Sequence, residues 1–195
     1  MGQVKQFDPA ERLDLAVDAF WQNGFDGSAM QALCKAMGLF PGSLYGTYGD
    51  KRQLFLQAVE RYMATVSADA MRTLGQDGSG LAALRQYFDG LIDGIIDGKR
   101  RWGCLVTNTI VELAQREPAV AAMVDQHLSR LEAGLAGAID RARRTGEIPP
   151  DTPLDTAGFL VCVVQGLNVL AKTKPSRQRI ERVVATALET LGKRS

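Results

Sequence analysis

The chain has 195 residues, 46% of them hydrophobic and 23% charged, and a formal net charge of +1. This is the composition of a globular chain long enough to bury a core, without the bulk positive charge of a strongly basic nucleic-acid binder. No stretch reaches the roughly 20 apolar residues of a membrane span. No charged segment followed by an apolar run opens the chain, so no export signal is expected. With 3 cysteines and 1 histidine there is neither a disulfide framework nor a metal-ligand spacing, and the cytoplasm is the expected compartment, with no cofactor and no membrane partner.

Asp8-Pro9-Ala10-Glu11 combines an N-cap, a proline at the first helical position and a glutamate three residues past the cap, so a first helix opens there. Leu13, Val17 and Phe20, with Leu15 and Trp21 beside them, supply its buried face, and Gly24 ends it. Residues 28–51 then read as two short helices joined by a tight turn. Ser28 is expected to N-cap the first of them. Met30, Leu33, Cys34 and Met37 recur at spacings of three and four, which gives one apolar face. Gly38 stops that helix where a left-handed residue is needed. Pro41 suits the start of the second helix. Leu44, Tyr45 and Tyr48 follow at helical spacing, and Gly49-Asp50 closes it. Such a pair is the arrangement that lays a recognition helix in the DNA major groove. Asp50 caps a fourth helix over 50–73, with Leu54, Phe55, Ala58, Val59 and Tyr62 in one stripe, which links this head to the rest.

Residues 75–80 form a glycine-rich break. An amphipathic helix over 81–97 carries Leu84, Phe88, Leu91, Ile92 and Ile95, and Gly98-Lys99-Arg100-Arg101-Trp102-Gly103 makes a basic turn. Helices follow over 104–115 and from Pro118 to about Thr145. A proline-rich loop leads to two last helices, 154–173 and 176–191, the second capped by Ser176. No alternating strand pattern occurs anywhere, so the fold is expected to be all-α. Residues 157–171 are apolar on nearly all sides, and such a helix must be covered on all sides. One small domain does not cover it, which predicts a homodimer.

The run Gly24-Phe25, Ser28, Ala36-Met37-Gly38-Leu39, Gly42-Ser43-Leu44-Tyr45, Tyr48, Asp50-Lys51 and Leu54-Phe55 resembles the DNA-binding domain of the tetracycline-repressor-like (TetR) family of bacterial transcription regulators. The resemblance implies a three-helix helix-turn-helix head over 1–50 and a helical ligand-binding and dimerisation domain over 51–195. It implies that Gly42, Ser43 and Thr47 face base edges, while Ser28, Tyr45, Tyr48 and Lys51 hold phosphates. It further implies that the last two helices pair with the partner's as a four-helix bundle, and that the twofold dimer reads a palindromic operator in double-stranded DNA. Phe40 departs from the family, occupying a turn position often held by a capping Ser or Thr. The recognition helix also lacks Arg and Lys, so base readout is left to small polar groups, methyl contacts and DNA shape.

Charge works against a simple electrostatic account. Over residues 1–50, Lys5, Arg12 and Lys35 stand against Asp8, Glu11, Asp14, Asp18, Asp26 and Asp50. DNA binding then requires Lys35, Lys51 and Arg52 near phosphates and the acids turned away.

The middle helices present Phe88, Ile92, Trp102, Cys104, Asn108, Glu112, Met123, His127, Phe159 and Asn168 as candidate lining for a small organic ligand, apolar with a few polar groups. The run GCLVTNTIVELA resembles one branch of the family in which some members sense electrophiles or oxidants through a cysteine at the position of Cys104. Arg100, Arg101 and a helix N-terminus there would favour a thiolate; the plainer reading makes Cys104 a small buried hydrophobe. The expected function is a transcriptional repressor released from its operator by an inducer, with a redox-sensing regulator as the alternative. A thiol-dependent enzyme ranks below both, because the chain has no phosphate loop, metal cluster or identifiable nucleophile pair.

Overall fold

Asp8 accepts the backbone N–H of Ala10 at 2.8 Å, and from that cap α1 (Pro9–Asn23) runs to Gly24. In the computed structural model, which describes residues 7–98 and 100–192, every regular element among the described residues is helical. The fold is therefore all-α. Lys5 and Lys99 lie outside the described residues.

α2 (Met30–Met37) is one turn pair from α3 (Pro41–Tyr48). Gly38 joins them with φ 62° and ψ 35°, the left-handed conformation that Gly adopts without a Cβ penalty, and the Leu39 N–H closes back onto the Cys34 carbonyl at 2.9 Å. Ser28 does not cap α2. The N-cap is Ala29, one residue later, and the Ser28 hydroxyl instead donates to the Gly24 carbonyl at 2.6 Å, where α1 ends.

α4 (Lys51–Tyr62) opens with a reciprocal cap: Asp50 accepts from the Gln53 N–H at 2.8 Å, and the Gln53 side chain accepts from the Asp50 N–H at 3.0 Å. The single helix expected over 50–73 is instead broken in register. A wider π-type turn spans Met63–Ser67, α5 (Ala68–Arg72) follows, and a tight last turn covers Thr73–Gly75. Hydroxyls in this run compete with the backbone ladder, as Thr65 does by donating to the Arg61 carbonyl at 2.8 Å.

The body contains α6 (Gly80–Ile96), α7 (Leu105–Leu113), α8 (Pro118–Arg144), α9 (Thr156–Ala171) and α10 (Arg177–Glu189). Its core gathers Leu84, Phe88, Leu135, Ile139, Leu160 and Ile180 from α6, α8, α9 and α10. A second core holds the head, with Phe20, Met37, Leu44, Phe55 and Tyr62 packed in one cluster. This second core continues into the body through Leu105, Val106 and Leu113 of α7 and Val120 and Val124 of α8. α7 thus packs against α1 and α4, the helices that carry the pair.

Candidate nucleic-acid interface and ligand region

α3 is seated by Leu44 and Tyr48, which lie one turn apart on its inner face and are both buried. The Tyr48 hydroxyl donates to the Pro9 carbonyl at 2.7 Å, tying the end of α3 to the start of α1, and burial pushes its phenol up from the ordinary value. Arg12 donates to the Met37 carbonyl at 3.1 Å and so closes the end of α2. The opposite face of α3 is bare: Gly42, Ser43, Tyr45, Gly46 and Thr47 are all exposed. A methyl group on Gly42 or Gly46 would meet nothing within 4 Å. A helix-interior glycine costs about 1 kcal/mol relative to alanine, and no packing inside the chain accounts for these two.

The sequence-predicted DNA residues divide accordingly. Gly42, Ser43, Thr47 and Tyr45 share the open side of α3, and Lys51 stands at its far end, its ammonium 4.5 Å from the centre of the Phe25 ring. Ser28 and Tyr48 do not join them. Both are buried, and each hydroxyl already donates its one proton to a backbone carbonyl, leaving nothing to offer a phosphate oxygen. Phe40 is the residue that sequence reasoning underrated. It is the N-cap of α3, makes no side-chain cap and is 84% exposed.

Local pairing relieves part of the acidic excess. Asp14 meets Arg61 at 2.8 Å, which holds its carboxyl below the usual range, and Asp26 meets Arg116 at 3.0 Å. Arg52 is drawn the other way, to Glu117 at 2.6 Å, while Lys35 is exposed on α2.

In the body, three of the ten predicted ligand residues meet. Cys104, His127 and Asn168 border a cavity of about 20 Å³ together with Ser67, Arg100 and Gln165. That volume is room for about one water. The π-type turn brings the Ser67 hydroxyl to 3.1 Å from His127 Nε2, and Tyr62 donates to Cys104 Sγ at 3.6 Å. Burial, and secondarily Arg130, pushes the His127 pKa down to about 4, so its ring is neutral near pH 7.

The other seven go elsewhere. Phe88 and Ile92 fill the body core, and Met123 packs on the head-side core. Trp102 stacks edge-on against Trp21 at 5.9 Å between ring centres, while Asn108 is spent on the Trp102 carbonyl at 2.9 Å. Glu112 grips the head backbone at Phe25 and Asp26, and Phe159 is 47% exposed on the outside of α9. Gln165 was missed, although a glutamine three residues before Asn168 in an otherwise apolar helix is a legible signal. Ser67 had none, since a widened turn leaves no period in the sequence.

A bare second helix in a glycine-jointed pair, carried on an all-helical body, defines a helix-turn-helix DNA-binding regulator. The chain belongs to the TetR family: residues 13–58 match the family described as bacterial regulatory proteins, tetR family, and residues 80–187 match the tetracyclin repressor-like C-terminal domain. It is 31% identical over 193 residues to the uncharacterized HTH-type transcriptional regulator YezE of Bacillus subtilis (strain 168), covering 98% of this chain and 100% of that one. It is 26% identical to the HTH-type transcriptional repressor ComR of Escherichia coli (strain K12), over 96% of this chain and 90% of ComR. Among solved structures, a cysteine mutant of the TetR family regulator CifR in complex with a 26-bp double-strand operator superposes with a TM-score of 0.85 at 26% identity, covering 96% of this chain and 98% of that one. The family is one of DNA-binding transcription regulators rather than enzymes.

Proposed function

We propose that this chain acts in the cytoplasm as a homodimeric repressor whose two heads bind a palindromic operator and release it when a small organic ligand occupies the body. The observation that carries the DNA part is the open face of α3, where Gly42 and Gly46 leave the helix backbone unobstructed. In this reading Gly42, Ser43 and Thr47 approach base edges and Tyr45 and Lys51 contact phosphates, with residues 1–50 as the reading head, 51–195 as the ligand and dimer domain, and 50–73 as the link. The repressor name of ComR and the operator complex of CifR support the same direction of action. The apolar outer face of α9 and α10, with Phe159, Val169 and Val183 exposed, supports the dimer. Release by a ligand requires that the ligand bind one head spacing better than the other.

The test is equilibrium binding of the purified full chain to DNA upstream of its own gene, against a scrambled duplex, at two salt concentrations. Sequence-dependent, salt-sensitive binding is expected. Equal affinity for both duplexes sinks the reading.

A second reading, in which oxidants or electrophiles trigger release through Cys104, is favoured by one observation: Cys104 lines the small cavity together with Arg100, and its sulfur accepts the Tyr62 hydroxyl. Operator release by oxidant that persists unchanged in Cys104→Ser excludes it.

A further inference from the structure

Phe40 is an aromatic side chain with no use inside the chain. It opens α3 at the N-cap with φ −75° and ψ 150°, offers the helix no capping hydrogen bond, and is 84% exposed. A Ser, Thr, Asp or Asn there would satisfy one of the orphan N–H groups of the first turn. The ring also sits at the end of the recognition helix that reaches base edges, since helix-turn-helix proteins read DNA with the N-terminal residues of that helix.

The rest of the reading surface is unusually poor in hydrogen-bonding power. From Phe40 to Tyr48 no Arg, Lys, Asn, Gln, Asp or Glu occurs. The guanine fork of Arg and the adenine pairing of Asn or Gln are therefore unavailable to α3. Ser43 and Thr47 keep hydroxyls, but a hydroxyl donates and accepts and so discriminates weakly between bases. Gly42 and Gly46 contribute no side chain. One feature of the major groove remains that such a surface reads selectively, the C5-methyl of thymine, which is apolar and found on one base alone.

We propose that Phe40 is a specificity-determining residue that packs its ring on a thymine methyl in each operator half-site, so that sequence is read by apolar contact. The inference deepens the DNA-binding reading above and rests on it. Its geometry needs no burial to be undone, because Phe40 is already exposed beside the exposed Pro41 at the N-terminal end of α3.

The experiment uses the full-length chain and an upstream duplex that the wild type binds in a sequence-dependent way. Thymines of the two half-sites are replaced in symmetric pairs by deoxyuridine, which deletes the methyl and keeps the base pairing. For wild type, one pair of positions is expected to weaken binding by about fourfold per methyl, hence roughly 15-fold for the pair. Phe40→Ala should bind the thymine duplex more weakly and show the same affinity for thymine and uracil at that pair, while Phe40→Leu should retain part of the discrimination. Because the side chain is exposed, both variants should melt with the wild type. If Phe40→Ala keeps the wild-type thymine-to-uracil ratio, or if the wild type discriminates at no position, the inference is overturned and the regulator reading stands. If the wild type binds no duplex in a sequence-dependent way, the regulator reading falls and this inference with it.

Discussion

The Glu112 carboxylate accepts the backbone N–H of Asp26 at 2.7 Å, and its other oxygen accepts that of Phe25 at 2.9 Å. A side chain of the body thus holds the turn between α1 and α2 from 86 residues away. The fit is close: at Gly24, where φ is +72°, a β-carbon would come within 2.8 Å of the same carboxylate. Trp21 adds a second tie by donating to the Gly103 carbonyl at 3.2 Å. These contacts and α4 fasten the head to the body on either side of the start of α7.

Replacing Glu112 by alanine should therefore destabilise the whole chain rather than a local loop. Two charge-assisted hydrogen bonds at a half-buried site are worth about 1–2 kcal/mol together. Urea unfolding should show a lower midpoint at unchanged slope. A midpoint matching wild type would mean that the head is held without this clamp.

Tyr48 and Lys51 should separate cleanly in their effects. Tyr48→Phe removes the bond to the Pro9 carbonyl and should cost about 1 kcal/mol of stability while leaving the salt dependence of operator binding intact. Lys51→Gln should leave stability nearly unchanged and lower the salt slope by about 0.9 per phosphate contact, or about two for a dimer. A reduced slope in Tyr48→Phe would return that hydroxyl to the phosphate-contacting set.

His127 makes stability depend on pH. Its folded pKa of about 4 lies below the ordinary 6.5, so the unfolded chain takes up the proton first. Stability is then level above pH 6.5 and declines as pH falls from 6.5 toward 4, by at most about 1.4 kcal/mol per unit. His127→Gln removes the titration, so the stability of wild type minus that of the variant should be constant above pH 6.5 and fall as pH drops from 6.5 to 5 in denaturant titrations. A constant difference would show that the imidazole is not held neutral by burial.

The outer face of α9 predicts a coupled change in assembly and thiol reactivity. Cys162 is exposed on the single chain, unlike the buried Cys34 and Cys104, and lies on the same helix as Val169, which is 52% exposed. If a second copy covers this face, Cys162 should resist a maleimide in the wild type, and Val169→Asp should expose it while reducing the sedimenting species to the 21.1 kDa chain. Free labelling of Cys162 in the wild type at micromolar concentration, with a monomer in sedimentation, would remove the dimer from the reading.

Much of the framework is legible in short stretches. Asp8-Pro9, Asp50, Ser176, and Gly38 between two apolar faces each announce a helix end, and the caps of α1, α4 and α10 form as those residues suggest. The open and buried sides of α3 also follow from spacing, since Leu44 and Tyr48 lie one turn apart and Ser43 and Thr47, one position before each, are turned about 100° away from them. The errors cluster where one polar side chain had two available partners. Ser28 and Tyr48 look like surface hydroxyls in the sequence, and Glu112 and Asn108 look like pocket lining, yet each is consumed by a backbone group that the fold delivers to it.

The linear order of residues was sufficient for the all-α class, several helix starts, the helix-turn-helix pair and the family, because caps, turns and apolar periods depend on neighbours within a few positions. Three things emerged from the packed chain: the clamp of Glu112 on the head, the widened turn that sets Ser67 against His127, and the exposure of Phe40. Each depends on which groups meet after loops of tens of residues have closed, or, for Phe40, on which groups do not. A side chain's partners there are chosen by the packing of whole helices and leave no trace in local spacing.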